Sequence, residues 1–318
     1  MANVQLYAYE IDTHNQDEIN KILSQRGVVP LTMKGLEYFK IQVMLQRDQI
    51  LHHVAQALSE HTEDTLTVFV APEFFFKEAD GTPYSQAALM NAVEYCKQVS
   101  AKYFPSVLWC VGTVWWSDPI HPTNQMRVHN SALVFQNGQL LHSWQKNRLS
   151  QLDGLKQGPE VWDRWDAESR EILDGPLQTP FFSAVCPDGT MVRCGLEVCL
   201  DHLTCDDEPG LLRTRYLQEH PNPDEGSGVD LHILIAAGMR VQPENIVARH
   251  GGAFFRCDGG AAAAPRSQSL IVQRNGISDA RALRHWAPNC LDGDAKYFDD
   301  EAGDLKHRLA AYPVIRLS

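Results

Sequence analysis

The chain has 318 residues, 44% of them hydrophobic, enough to bury a large core. Its formal net charge of -12 and pI near 5.5 argue against a nucleic-acid groove or an anionic membrane surface as a partner. No stretch reaches the ~18 consecutive apolar residues of a membrane helix. Met1 to Leu6 lacks the basic and apolar regions of a signal peptide and is expected to enter a strand at once. Eight cysteines, several inside apolar runs such as Trp109-Cys110-Val111, are expected to be reduced, buried thiols, which places the protein in the cytoplasm.

In chain order, Val4 to Glu10 reads as a strand and residues 11–36 as polar and irregular. Gly35 to His61 reads as a long amphipathic helix, with Leu36, Phe39, Val43, Ile50, Val54 and Leu58 at helical spacing. Leu66 to Ala71 is a continuous apolar run, the pattern of a strand buried on both faces. A helix over Ser85 to Tyr103 and a strand over Val107 to Trp116 follow. Asn137-Gly138 and Asp188-Gly189 each sit between two strand-like runs and signal hairpins. Leu211 to Glu219 reads as a helix, Leu231 to Ala237 as a buried strand and Pro243 to Arg249 as a helix. Ala253 to Cys257 and Ser269 to Arg274 complete the strands. Hairpins mixed with α/β units suggest two sheets face to face with helices outside, an α-β-β-α sandwich of class α/β.

Three residues stand at predicted strand ends. Glu73 follows the buried strand and Pro72, and precedes Phe74-Phe75-Phe76. A carboxylate among aromatics is suited to general-base work, but the segment reads equally as a Glu that ends a strand and meets water. Lys146 leaves the hairpin strand Leu140 to Trp144, where a solvated charge is the commoner outcome. Cys199 ends the run Cys194-Gly195-Leu196-Glu197-Val198 and leads into the polar turn Leu200-Asp201-His202. A lone Cys is usually inert core, whereas one beside a turn with free N–H groups can be activated. Taken together, the three supply a nucleophile, a base and a cation for a developing oxyanion, with the backbone N–H of Leu200 as a second donor.

In chain order these pieces closely resemble the nitrilase, or carbon–nitrogen hydrolase, superfamily. They are Ala71-Pro72-Glu73-Phe74, Trp144-Gln145-Lys146-Asn147-Arg148 and Gly195-Leu196-Glu197-Val198-Cys199-Leu200-Asp201. Asn130 to Phe135 resembles the strand before the family lysine, and Asp230 to Ile235 the strand after the nucleophile. The resemblance covers roughly residues 3 to 275. It implies a four-layer α-β-β-α sandwich, a Glu73–Lys146–Cys199 triad, a homodimer, and neither metal nor organic cofactor. Residues 1–318 then form a single domain, with an insertion at about 151–178 over the pocket and a C-terminal extension at about 276–318. Leu200-Asp201 after the Cys is nearer to the amidase and carbamoylase pattern than to that of nitrilases proper.

The resemblance therefore implies a thiol hydrolase that cleaves a small amide or N-carbamoyl compound through a Cys thioester. A nitrilase, or an acyl or amide transferase, would use the same triad. Further candidates for the substrate or its surroundings are Phe74, Glu160, Glu197, Leu200 and His202. Glu160 is the nearest Glu downstream of Lys146, where many members carry a second Glu. Glu197, two residues before Cys199, is expected on the same sheet face, either in the chemistry or as partner to a buried Arg or Lys. The Arg common four residues after the family Cys is here Leu203. A competing reading is a zinc-binding protein using Cys194, Cys199, His202 and Cys205, but these residues lack the paired Cys-x2-Cys knuckle.

Overall fold

The computed structural model describes residues 2–14, 16–54, 64–120, 125–149, 179–205, 208–223, 226–260, 267–272, 289–290, 296–299 and 308–317. The strands are β1 (Asn3–Glu10), β2 (Thr65–Val70), β3 (Tyr84–Ser85), β4 (Val107–Ile120), β5 (Gln125–Gln136), β6 (Gln139–Gln145), β7 (Phe181–Val185) and β8 (Met191–Val198). They continue with β9 (Val229–Ala236), β10 (Ala248–Asp258), β11 (Ser267–Ile271), β12 (Asn289–Cys290), β13 (Lys296–Asp299), β14 (Arg308–Ala311) and β15 (Ile315–Arg316). The helices are α1 (Gln16–Gln25), α2 (Gly35–Gln49), α3 (Gln86–Tyr103) and α4 (Leu211–Glu219).

Two sheets result. One runs β13-β14-β1-β2-β4-β5-β6, with β15 also on β1 and β3 also on β4; the other runs β12-β11-β10-β9-β8-β7. Within the first, β1, β2 and β4 are parallel; within the second, β8, β9 and β10 are parallel.

Alternation along the strands decides which layer each side chain joins. Val4, Leu6 and Ala8 of β1, Leu66, Val68 and Val70 of β2, and Leu108 and Cys110 of β4 share a core with Cys194, Leu196 and Val198 of β8 and with Leu231 and Ile233 of β9. That core lies between the sheets. The intervening Tyr7, Tyr9, Phe69, Val107 and Trp109 join a second core with Phe39 and Val43 of α2 and Leu89, Val93 and Cys96 of α3. Both faces of β2 are therefore buried, which is why its sequence lacks alternation. On the outer face of β8, a Cβ at Gly195 would lie 3.2 Å from Leu212, which places α4 against that sheet. The layers read α-β-β-α, as the sequence suggested.

Three local expectations are corrected. Within residues 11–36, α1 buries Ile19, Ile22 and Leu23; its stripe of only three apolar residues is too thin to stand out in a polar segment. The helix expected over Gly35 to His61 ends at Gln49 and passes into a π-helical turn, Ile50–Val54; residues 55–63 lie outside the described residues. The helix expected over Pro243 to Arg249 is one 3-10 turn, Pro243–Asn245, and β10 begins at Ala248. There the Val247 N–H is taken by His232 and the Asn245 side chain by His202 O and Gly210 N–H, so no helical ladder forms. Within the expected C-terminal extension, β14 and β15 pair antiparallel with β1 of the first sheet, and β12 pairs with β11 of the second. The insertion expected at 151–178 lies outside the described residues.

Candidate active site

The site forms where parallel strands of both sheets end, the usual location for a pocket in open α/β sheets. Past β2 the chain must leave the sheet at once, and β4 makes room. Its pairing register shifts between Cys110 and Thr113. Inside that bulge Gly112 has φ +86, and a Cβ there would lie 2.3 Å from Pro72 O. Only glycine allows so close an approach at that φ. The exit is then pinned by the Ala71 N–H to Cys110 O (2.9 Å), the Phe74 N–H to Thr113 Oγ1 (2.8 Å) and the Phe76 N–H to Thr113 O (3.1 Å). From the helix layer, Gln42 Nε2 donates to Phe75 O (3.0 Å) and Lys77 O (3.2 Å). From the second sheet, Ala236 O accepts the Glu73 N–H at 3.3 Å, and Thr13 Oγ1 donates to Glu73 O at 2.5 Å.

The Glu73 side chain is fully buried. Its Oε1 accepts from Lys146 Nζ and from Asn130 Nδ2, each at 2.8 Å. Sheet register explains the pairing of donors. Ala132 opposes Trp144 across β5 and β6, and the Lys146 N–H donates to Asn130 O at 2.9 Å, so Asn130 and Lys146 are cross-strand neighbours. Their parity matches that of Ala132 and Trp144, whose side chains face the space between the sheets. Lys146 therefore points inward with 1% of its side chain exposed, not into solvent as a strand-exit lysine commonly does.

Cys199 opens a 3-10 turn, Cys199–His202, directly after β8. Its φ is +46, and Phe74 has φ +59; Asn137, in a hairpin turn, is the third non-glycine residue with positive φ among the described residues. Two left-handed residues thus sit in the same cluster, the sort of strain that persists only where the surroundings enforce it. The turn brings the thiol within electrostatic reach of Glu73, Lys146 and the Ala237 backbone. Burial and the Glu73 carboxylate push the thiol well above its ordinary pKa, and Lys146 and Ala237 oppose them only in part. The Cys199 thiol is therefore protonated at rest beside the Glu73 carboxylate, and its reaction as a thiolate would require loss of that proton.

The other candidates are placed as follows. The Phe74 ring lies 5.5 Å from Lys146 Nζ and 4.2 Å from Lys77 Nζ, centroid to nitrogen, so its face supports two ammonium groups. Leu200 lies in the Cys199 turn, and its carbonyl accepts the Leu203 N–H at 3.0 Å. Glu160 lies outside the described residues. The geometric expectation for Glu197 is corrected. Because the chain turns at Cys199, the thiol and Glu197 do not share an environment. Glu197 Oε1 instead meets His202 Nδ1 at 2.5 Å and His232 Nε2 at 2.7 Å, two histidines in place of the expected Arg or Lys. The four residues of the zinc reading do not converge: among the described residues, the group whose ligand-type atoms come within 4.8 Å of one another is Glu197, His202 and His232, with no cysteine.

Sequence reasoning missed Asp201 and Asn130 as site residues. Asp201 is fully buried and accepts from the Asn147 N–H (3.0 Å), the Arg148 N–H (2.9 Å) and Trp144 Nε1 (3.1 Å). Burial, with a smaller contribution from Glu197, raises its carboxyl to about 7 against those donors and Lys146. A signal did exist: a polar Asn130 and an Asp201 each stand next to a run whose side chains are otherwise core.

No protein-family model matches the sequence, and no curated protein matches it either. Solved structures do. Nit3 from Saccharomyces cerevisiae, a member of branch 10 of the nitrilase superfamily, aligns with 98% of this chain and 90% of its own, at 13% identity and TM-score 0.45. A mutant of the amidase from Nesterenkonia sp. AN1 in complex with butyramide aligns over the same shares, at 14% identity and TM-score 0.44. Another mutant of that amidase, with the acetamide moiety of fluoroacetamide added covalently at the active site cysteine, aligns over the same shares at 14% identity and TM-score 0.42. The chain is thus similar, along nearly its whole length, to solved members of the nitrilase superfamily.

Proposed function

We propose that this chain is a carbon–nitrogen hydrolase of the nitrilase superfamily that cleaves a small amide through a thioester on Cys199. The observation that carries the reading is a convergence of charges: Glu73 Oε1 is 2.8 Å from Lys146 Nζ, and both groups act electrostatically on the buried Cys199 thiol. Glu73 takes the thiol proton as sulfur attacks the amide carbon. Lys146 balances the charge that develops on the amide oxygen. The proton held on Glu73 passes to the leaving nitrogen, which departs as ammonia or an amine. Water then gives a proton to Glu73 and attacks the thioester, releasing the acid and restoring the thiol.

The described cysteines Cys96, Cys110, Cys186, Cys194, Cys199, Cys205 and Cys257 are unpaired, which fits a reducing compartment such as the cytoplasm. Among the described residues, no helix is long and apolar enough to cross a membrane.

The test is mass spectrometry of intact protein mixed rapidly with panels of small amides, N-carbamoyl compounds and nitriles. An acyl adduct that maps to Cys199 and is absent from Cys199→Ala is the expected result. Turnover retained by Cys199→Ala would refute the assignment.

A further inference from the structure

The Glu197–His202–His232 cluster takes no part in the chemistry above, yet it is completely enclosed. Its ligand-type atoms lie within 4.8 Å of one another, the arrangement of a metal site. Hydrogen bonding excludes that use. His202 Nε2 accepts the Gln242 backbone N–H at 2.9 Å, and His232 Nδ1 accepts the Val247 backbone N–H at 3.2 Å. A nitrogen facing a backbone N–H must offer its lone pair, so the protons sit on His202 Nδ1 and His232 Nε2. Both point at Glu197 Oε1, at 2.5 and 2.7 Å. A metal would need those same two nitrogens deprotonated, with each ring's other nitrogen as a donor.

What remains is a buried carboxylate held by two neutral imidazoles of fixed tautomer. Glu197 Oε2 has no hydrogen-bond partner among the described residues, and the Phe254 ring packs on both imidazoles, 5.9 Å from His202 and 4.9 Å from His232. Such a group costs stability relative to an apolar residue in the same strand position. Its location indicates what it supports. Glu197 is the penultimate residue of β8 and His202 closes the Cys199 turn, so their hydrogen bond spans the left-handed Cys199. The next residue back, Asp201, fastens the other side of the turn to Asn147 and Arg148, just past Lys146.

We infer that Glu197, His202 and His232 are positioning residues for the nucleophile: the carboxylate, acting through His202, holds the Cys199 turn in the conformation that presents the thiol to Glu73. The inference rests on the thiol-hydrolase reading. It makes His202 Nδ1–H the transmitting group and predicts that an Asn side chain, whose amide nitrogen can take the place of Nδ1, replaces it in part.

The experiment compares wild type, His202→Ala, His202→Asn and Glu197→Gln in two measurements. These are kcat and KM on the best amide of the panel, and the rate of Cys199 labelling by iodoacetamide, followed by peptide mass spectrometry. His202→Ala should lose about 10–100-fold in kcat, the range for supporting hydrogen bonds around a reactive centre, with KM nearly constant and labelling slowed in parallel. His202→Asn should recover most of that loss. Glu197→Gln keeps an accepting oxygen for both histidines and should lose less than His202→Ala in both measurements. An unaltered kcat and labelling rate in folded His202→Ala would overturn the inference, and so would equal losses in the Ala and Asn variants. Should His202→Ala not fold, His202→Asn and Glu197→Gln decide: a fall of about 10-fold or more in both overturns it. Stoichiometric metal in the purified protein would also overturn it. Wild-type protein with no preferential labelling at Cys199 would instead overturn the thiol-hydrolase reading, and the positioning role with it.

Discussion

Asp201 and Arg148 are joined by a 2.9 Å hydrogen bond from the Arg148 backbone N–H to the Asp201 carboxylate, which fastens the turn after Cys199 to the turn after Lys146. Cys199 and Lys146 follow strands of different sheets, and this carboxylate ties together the turns that carry them. Asp201→Asn would turn an amide NH2 toward either the Trp144 indole or the backbone N–H groups. A loss of roughly 1–3 kcal/mol in urea unfolding is expected. The pH dependence has a definite sign. With its carboxyl raised to about 7 in the folded state, Asp201 contributes stability that is fully present below the ordinary carboxylate range and is lost as pH rises through about 7. The stability difference between Asp201→Asn and wild type should therefore be larger at pH 5 than at pH 8. A difference independent of pH would contradict the raised carboxyl.

Glu73→Gln separates two effects of one carboxylate. Its negative charge raises the Cys199 pKa, so neutralising it should lower the pH midpoint of thiol labelling by iodoacetamide. Turnover should nevertheless fall by about 100-fold or more, because the proton acceptor is gone. A pH midpoint unchanged or raised in this variant would disprove the contact between thiol and carboxylate.

Asn130→Ala removes a donor to Glu73 Oε1 but leaves the backbone bond from Lys146 to residue 130 intact. A charge-assisted hydrogen bond of about 1.5–3 kcal/mol corresponds to roughly 10–100-fold in kcat. Steady-state kinetics that match wild type would remove Asn130 from the site.

Gly112→Ala tests the passage beneath Glu73. A methyl group 2.3 Å from Pro72 O, at φ +86, cannot be accommodated without moving the Pro72–Glu73 peptide. We expect a loss of roughly 2–4 kcal/mol in chemical denaturation together with lower turnover. A variant as stable as wild type would mean that the bulge tolerates a side chain.

Much of the framework was legible because it obeys short-range rules. The unbroken apolar run of β2 announced a strand covered on both faces, and Asn137-Gly138 and Asp188-Gly189 announced the hairpins that deliver Lys146 and Cys199. What escaped depends on distant partners. Asn130 matters only because β5 places it opposite Lys146, a relation that register sets and spacing does not. Glu197 was expected beside Cys199 on the period of a continuing strand, but the left-handed φ at Cys199 ends that period. The segment Pro243 to Arg249 carries helix-like composition, yet its polar groups are used by His202, His232 and Gly210.

The pairing of β14 and β15 with β1 has a consequence for assembly during synthesis. Tyr7 lies opposite Ala311, so one flank of β1 is covered by residues made about 300 positions later. Until they emerge from the ribosome, β1 presents an open edge of mostly apolar sequence, a template for pairing with another chain. A nascent or truncated chain ending near residue 300 would therefore carry β2, and with it Glu73, in a sheet still open on the far side of β1. Such a chain is prone to aggregation or capture by a chaperone, so the last strands matter to the recovery of folded protein as the residues of the site do to its chemistry.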